Sequence, residues 1–456
     1  MPCTTVLVGK KASLNGSTII ARQEDYGQAL NPQRFVLVTP DQQPREYTSK
    51  TTGFKCTLPD NPLRYTSDPD ADPSFGIFGA AGINEANVAM TATETSTTNS
   101  RILGLDPYNE ESGIGEEDFV TLVLPYIHSA REGVQRLGQL LAEVGTYESN
   151  GIAFSDQDEV WYVETIGGHH WAAIKVPDDS YVVAPNRFNI TDFNFNSADT
   201  MASPDLQTLI EKNHLNPDQK GYNLRHIFGS STMQDARYNN PRTWYVQKIF
   251  GGAPMTDPTS MDQPFFCHPD HLIAVEDIKQ VLSSHYQNTV YDPYGGASGK
   301  QFRPIALNRN LELHILEIRA HVPASLAATH WLAFGPNTFN AVVPFYANVL
   351  STPAPYEKTS RQYDPTNMYW LTNTLAALGD RRYQAVAGKV EAFEQTVVAK
   401  CRHLQLQADQ RARFQENIPA YLTEVNNKMA QISQQAAIKL LGDLVTDAFN
   451  HENLAY

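Results

Sequence analysis

The residue with the most chemistry to offer stands third in the chain. Cys3 opens a strand-like segment, CTTVLVG at 3–9, where a cysteine can be a small apolar residue and nothing more. If Met1 and Pro2 are removed, its thiol and a new α-amine share one residue. An α-amine has an ordinary pKa of about 7.7–8.0 and a thiol one of about 8.5, so near neutrality one serves as base for the other. Loss of Met1 alone leaves the Cys3 nitrogen in an amide to Pro2, so both residues must go. Either Cys3 attacks the preceding carbonyl through an N-to-S acyl shift, or a separate peptidase trims the chain.

Two more charged residues belong with it. KKASLNG turns on an Asn-Gly pair and STIIARQED, residues 17–25, returns as the second strand of a hairpin. With Gly9 opposite Ser17, Cys3 faces Gln23 and lies next to Arg22. An arginine there lowers the thiol pKa, and Asp25 can bind the α-ammonium and orient it. Taken alone, Arg22 and Asp25 are an ordinary surface ion pair. Strand side chains alternate, so 22 and 25 both point inward only across a bulge or a strand end.

Other chemistries find little support. His169 and His170 in GGHHW should face opposite ways on a strand and are read as structural. No HExxH, calcium loop or zinc spacing occurs, GKKAS lacks the phosphate-loop frame, and neither GxSxG nor GxGxxG stands in a credible context. Cys56, Cys267 and Cys401 are read as small buried hydrophobes without a disulfide framework. No metal and no organic cofactor is expected.

The elements that must position Cys3 read as mixed blocks. Strands are expected at FVLVTP and over residues 75–95, a loop at NPLRYTSDPDADP, and a helix capped by SARE at Ser129 to Glu132, with Val134, Leu137, Leu140 and Leu141 on one face. Residues 160–190 read as a meander broken at Gly167-Gly168 and at PDD, 177–179. Helices are expected from Ser203, with proline first, and over 275–286, then late strands at 311–319 and 329–335. From Met368 to about Phe449 the composition turns helical, with Val390, Phe393, Val397, Val398 and Leu404 near one face. A mostly antiparallel sheet core with helices outside fits better than a βαβ repeat.

The chain has 456 residues, 41% of them hydrophobic and 19% charged, a soluble globular profile. A net charge of -15 argues against nucleic acid or anionic membrane as partner. No apolar run of membrane length and no secretion signal is read, so a cytoplasmic location is expected.

Five stretches together resemble the cysteine-nucleophile dipeptidases of the dipeptidase A type, peptidase family C69. They are CTTVLVGKKASLNGSTIIARQED, GINEANVAMTATET at 82–95, HHWAAIKVPDDSYVVAPNRFNI at 169–190, DARYNNPRTW at 235–244, and LELHILEIR with HWLAFGPNTFNAVVPFYANV at 330–349. The resemblance implies an α+β, four-layer αββα N-terminal nucleophile hydrolase fold, related to penicillin V acylase and bile salt hydrolase. It implies a catalytic domain over 3–365 and a helical extension over 366–456 that completes the fold or builds an oligomer interface. The implied activity is hydrolysis of unblocked dipeptides with broad side-chain tolerance; an N-acyl amide hydrolase or a non-catalytic, secernin-like binding protein are the alternatives. By the resemblance Cys3 is the nucleophile, Arg22 and Asp25 match the Arg-x-x-Asp of the superfamily, Asn186 matches an oxyanion-hole asparagine, and Arg237 matches a later active-site arginine, with Arg242 as its alternative. ATET stands where bile salt hydrolases carry a Leu-Asn segment, so Thr93 or Glu94 falls where their second oxyanion contributor lies. Glu94 could instead meet a substrate ammonium, and Arg237 or Arg242 its carboxylate.

Overall fold

The computed structural model describes residues 3–27, 30–252 and 256–451. The fate of Met1 and Pro2 lies outside them. β-Branched residues of the first segment favour a strand, and β1 (Thr4–Val8) pairs antiparallel with β2 (Thr18–Asp25). The register differs by one from the expected one: Gln23 faces Thr4 and Arg22 faces Thr5. Gly9 leaves the hairpin to donate to Ser180 O at 2.9 Å, where a Cβ would stand 2.3 Å from Pro177 O. A one-residue slip exchanges faces, so the observed register is the one that puts the Cys3 and Arg22 side chains together.

Next come β3 (Val36–Val38), a small pair β4 (Glu46–Thr48) and β5 (Lys55–Thr57), then β6 (Tyr65–Pro69), β7 (Gly79–Asn84) and β8 (Ala89–Thr95). Helices α1 (Ser100–Leu103), α2 (Glu116–Val123) and α3 (Ala130–Val144) follow. Ser129 caps α3 as SARE predicts, its Oγ accepting from Glu132 N at 3.2 Å. Strands β9 (Asn150–Ser155), β10 (Val160–Ile166), β11 (His170–Lys175), β12 (Tyr181–Pro185) and β13 (Thr200–Ala202) lead to α4 (Leu206–Lys212) and α5 (Leu224–Phe228). After α6 (Asn240–Phe250) come β14 (Phe266–Cys267), α7 (Val275–Leu282), β15 (Asn310–Ile318), α8 (Ala324–Ala327), β16 (Ala328–Phe334), β17 (Val343–Tyr346) and α9 (Ala354–Glu357). Helices α10 (Met368–Gly379), α11 (Tyr383–Ala412) and α12 (Ile418–Phe449) end the described chain.

Two antiparallel sheets result, ordered β14-β12-β1-β2-β15-β16-β17 and β13-β11-β10-β9-β8-β7-β6-β3. Leu7, Ile20, Val182 and Leu316 of the first pack with Ala81, Ala153, Tyr162 and Ala172 of the second. The alternate residues Val6, Ile19 and Ile315 meet Val246 of α6 and Ile278 of α7. Met90, Ile152 and Phe154 meet Phe119 of α2 and Val134 and Leu137 of α3. Each fully buried Val, Leu, Ile, Phe or Met among them contributes about 1.5–3 kcal/mol. The architecture is α+β, two sheets with flanking helices.

Three expectations need correction. The 160–190 block is no meander: β10 and β11 form a hairpin in the second sheet, while β12 crosses to pair with β1 in the first. The turn after β11 carries the chain across, its Asp178 O accepting from Lys11 N at 2.7 Å. Helix α4 begins at Leu206, not Ser203, because Ser203 is held at the edge of β11, its Oγ accepting from Trp171 N at 2.8 Å. Helix α7 ends at Leu282, and Tyr286 beyond it takes a φ of 63°, which a helix does not admit.

The three last helices pack through Leu375, Val390, Phe393, Val397 and Leu422 on Leu332 and Phe345 of β16 and β17. Asn426 of α12 covers the sheet edge, accepting from Tyr346 N and donating to Tyr346 O, both at 3.0 Å, so an edge that could pair with another strand is closed. No described helix is long and apolar enough to cross a membrane.

Candidate active site

Cys3 and Arg22 point between the sheets, both buried. Arg22 Nη1 donates to Cys3 Sγ at 3.2 Å and to Thr93 O at 2.7 Å; Nη2 donates to Ala80 O at 2.9 Å and Ala92 O at 3.1 Å; Nε donates to Thr91 Oγ1 at 3.0 Å. All five N–H groups are spent on the second sheet and the thiol. Glu24 Oε2 lies 3.7 Å from Nη2. Burial pushes the Cys3 thiol up to about 12 while Arg22 pulls it down. Burial thus favours the protonated thiol, and the Arg22 guanidinium is the nearest group that opposes it.

Asp25 closes β2. Its carboxylate accepts from Asn310 Nδ2 and pairs with Arg303. No bulge falls between Arg22 and Asp25 on β2, which ends at Asp25; the register shift lies in the partner strand, where Asn310 faces Asp25 and Glu312 faces Glu24, so Leu311 is extra.

Asn186 follows β12. Its Nδ2 donates to Thr95 O at 3.0 Å and its Oδ1 accepts from Arg242 Nη2 at 2.9 Å. Arg242, buried on α6, also donates to Cys3 O, to Thr4 Oγ1 at 2.8 Å, to Asn239 Oδ1 at 2.6 Å and to Tyr238 O at 2.8 Å. Arg237 is placed differently. Residues Asp235–Asn239 form a π-helical turn before α6, which turns the Arg237 side chain to solvent and Asn239 inward. Such turns recur at functional sites. Asn239 Nδ2 donates to Asn186 O at 2.9 Å; the paired asparagines in ARYNN are the sequence signal for it.

A register shift between Ala92 and Glu94 leaves Thr93 as the extra residue of β8. Thr93 and Glu94 are both buried, and neither Glu94 oxygen has a hydrogen-bond partner among the described residues. Burial pushes the Glu94 carboxyl up to about 8 against the pull of nearby Thr5, Arg242 and Arg22. Since an unfolded glutamate titrates at about 4.3, the stability tied to this proton is complete below about pH 4 and is lost as pH rises through the folded value. Glu94→Gln, always neutral, should gain on the native protein as pH is raised from 5 to 8, by about 1.4 kcal/mol per unit. Thermal melts across that range check it; parallel curves mean the carboxyl is not desolvated.

Behind Arg22 lies a polar cluster that the sequence reading missed, although Glu312 and His314 stand at period two among Leu311, Leu313 and Ile315. His314 Nε2 lies 2.8 Å from Thr91 Oγ1, and Nδ1 lies 2.9 Å from Glu312 and 3.4 Å from Asp68. Burial opposes a charged His314, yet Glu312 and Asp68 raise its pKa; burial, helped by the charge of His314 and opposed by Asp68, takes His330 down to about 4. Asp68, Glu312 and His314 have ligand atoms within 4.8 Å of one another, but the distances are those of hydrogen bonds and ion pairs, and the cluster reads as an imidazole held between two carboxylates. His169 and His170 both turn to Asp106, their Nδ1 atoms at 3.2 and 2.7 Å; they share it because His169 belongs to the turn and β11 starts only at His170. Cys56, Cys267 and Cys401 are free, Cys56 only half-buried.

A cleft of about 360 Å³ opens beside Asn186, lined also by Thr95, Thr97, Asp235, Tyr238 and Asn239. A larger cavity, about 800 Å³, lies against α10 among Tyr294, Tyr363 and Trp370. The smaller one has the chemistry, since Asn186 and Tyr238 both touch Arg242.

Residues 2–396 match the profile of "Peptidase family C69". The chain is 57% identical over 451 residues to the probable dipeptidase B of Lactococcus lactis, covering 97% of this chain and 95% of that one. It is 50% identical to dipeptidase A of Lactobacillus helveticus, covering 100% and 98%. It is 36% identical to a probable dipeptidase of Salmonella dublin, covering 75% and 80%. Among solved structures, a mutant conjugated bile acid hydrolase from Clostridium perfringens aligns with a TM-score of 0.32 and 9% identity over 73% of this chain and 89% of that one, a likeness too slight to assign a fold.

Proposed function

The chain belongs to peptidase family C69, and on that footing we propose that it is a cysteine-type dipeptidase that cleaves unblocked dipeptides through Cys3. The observation that carries this reading is the Arg22 guanidinium donating to a buried thiol at 3.2 Å. With Met1 and Pro2 gone, the Cys3 α-amine takes the thiol proton and Arg22 balances the thiolate. Sulfur attacks the dipeptide carbonyl carbon. The oxyanion is received by Asn186 Nδ2 and a main-chain N–H near Thr93. The α-ammonium then protonates the departing amine as the C–N bond breaks, leaving a thioester. Water, losing a proton to the α-amine, hydrolyses the thioester and restores the thiol.

Asp25, steadied by Asn310 and Arg303, orients the α-ammonium in this scheme. Glu94 receives the substrate's ammonium, which draws the neutral carboxyl into its charged form. Arg242 positions Asn186 and Cys3, all of its donors being engaged by protein. Arg237, at the surface, has no part in these steps. The finer fold assignment is the four-layer αββα sandwich of N-terminal nucleophile hydrolases, which the packing of each sheet against helices on one face and the other sheet on its second supports. Residues 3–365 form the catalytic domain and 366–456 a helical extension on it. The proposed location is cytoplasmic, which free cysteines suit.

Intact mass and N-terminal sequencing of purified protein, followed by assay on a panel of dipeptides and their N-acetyl forms, test the reading. A chain starting at Cys3 that turns over the free dipeptides is expected. Preference for the acetylated forms points to an N-acyl amide hydrolase instead, and a retained Pro2 with no turnover points to a non-catalytic relative.

A further inference from the structure

Three arginines gather around one phenol ring beside Cys3. The guanidinium carbons of Arg242 and Arg303 lie 5.2 and 5.0 Å from the Tyr238 ring centroid, and the Tyr238 hydroxyl accepts from Arg309 Nη2 at 3.2 Å. Arg242 gives its donors to Cys3, Thr4, Tyr238, Asn186 and Asn239. Arg303 is paired with Asp25. Arg309 has no carboxylate: among the described residues none lies within ion-pair distance, and its Nε is buried without a hydrogen-bond partner. Burial, with the charge of Arg309 adding to it, lowers Arg303 to about 9. Arg309 thus brings a positive charge without a carboxylate partner among the described residues to a place where an incoming anion would complete the charge balance.

We infer that Arg309, held by the Tyr238 hydroxyl, binds the free α-carboxylate of the substrate and thereby restricts cleavage to dipeptides. This rests on the reading of Cys3 as nucleophile. Tyr238 lines the 360 Å³ cleft beside Asn186, which is at the small end for ligand pockets. In a dipeptide the carboxylate carbon is three bonds beyond the scissile carbonyl, on the side of the leaving amine. A longer peptide presents an amide there, so Arg309, half-buried, stays without a counter-charge. An ammonium met by Glu94 at one end and a carboxylate met by Arg309 at the other measure the substrate's length.

The test compares L-alanyl-L-alanine with its C-terminal amide on the mature enzyme. The native protein should prefer the free acid. Arg309→Met should lower kcat/KM on the free acid by about 100-fold, chiefly through KM, with the amide unchanged, so the preference collapses. Arg309→Lys should restore part of it. Tyr238→Phe, which deletes one hydroxyl, should weaken the preference several-fold and decides the matter if Arg309→Met fails to fold. Equal loss on both substrates, or an unchanged ratio, overturns the role of Arg309 while leaving the dipeptidase reading in place. A native protein that cleaves neither substrate overturns both.

Discussion

Replacing Cys3 by alanine is expected to lower kcat on every dipeptide by at least about 10⁴-fold, the scale on which loss of a covalent nucleophile registers. The fold should survive, because the side chain lost is one buried sulfur and the site around it is built from other residues. Arg22 keeps four of its five contacts, to Thr91, Thr93, Ala80 and Ala92, and Arg242 bonds the main chain of residue 3, which alanine retains. The thermal midpoint should therefore shift by only a few degrees, as for other small buried deletions. Kinetics on a dipeptide panel with a melt of the same sample give both numbers. Activity above about one hundredth of native would put the nucleophile elsewhere. The mass of the variant adds a second outcome: if Cys3 releases its own leader by an N-to-S shift, Cys3→Ala keeps Pro2, whereas trimming by a peptidase removes it from both proteins.

The second large effect is on stability. Arg22→Met removes a buried cation from a place where three carbonyls, a hydroxyl, a thiol and the Glu24 carboxylate all converge on it. Breaking a buried pair from one side leaves the other charge without compensation and typically costs about 3–5 kcal/mol, to which the orphaned carbonyls add. Urea unfolding should register a loss of that order. The same substitution takes away the charge that opposes burial at the Cys3 thiol, so the pH at which iodoacetamide alkylates Cys3, followed by peptide mass, should rise. Arg22→Lys keeps the charge but not the planar fork and is expected to fall between. An Arg22→Met protein as stable as native, with an unmoved alkylation profile, would show that the guanidinium neither braces the two sheets nor acts on the sulfur.

Much of this architecture is visible in the amino-acid order. Threonine and valine runs, the Asn-Gly turn, the SARE cap and the glycine-poor end of the chain reflect local energetics, and the elements form where those preferences put them. Long-range choices are another matter. Whether Cys3 faces Gln23 or Glu24 is tied to Gly9 being drawn to Ser180, in the connection just before β12, and β12 leaves its neighbours for a different sheet because the first hairpin offers it an edge. The site divides the same way. Cys3, Arg22 and Asn186 are ordinary residues taken singly and stand out only through stretches that resemble the family together. Choosing Arg242 over Arg237 requires the π-helical turn, which no spacing reveals, and Arg303 and Arg309 come from a loop whose sequence has no pattern to read. His314 is hidden for a different reason: on an isolated strand a histidine between Leu313 and Ile315 is an ordinary interior residue, and only the pairing of β15 with β2, which sets it opposite Arg22, and the shared Thr91 hydroxyl of the other sheet tie it to the site.

The bond from Arg242 to the carbonyl of Cys3 reaches across 239 positions of sequence. Ends of chains are ordinarily the first part of a domain to fray, and an enzyme that keeps its nucleophile on its first residue inherits that looseness. If Met1 and Pro2 are removed, the clamp grips on the far side of the cut, through the carbonyl and the neighbouring Thr4 hydroxyl, and shedding them leaves the grip intact. A terminus produced in this way would be as ordered as the interior of a helix, and trimming would change the chemistry of the nitrogen without moving the sulfur.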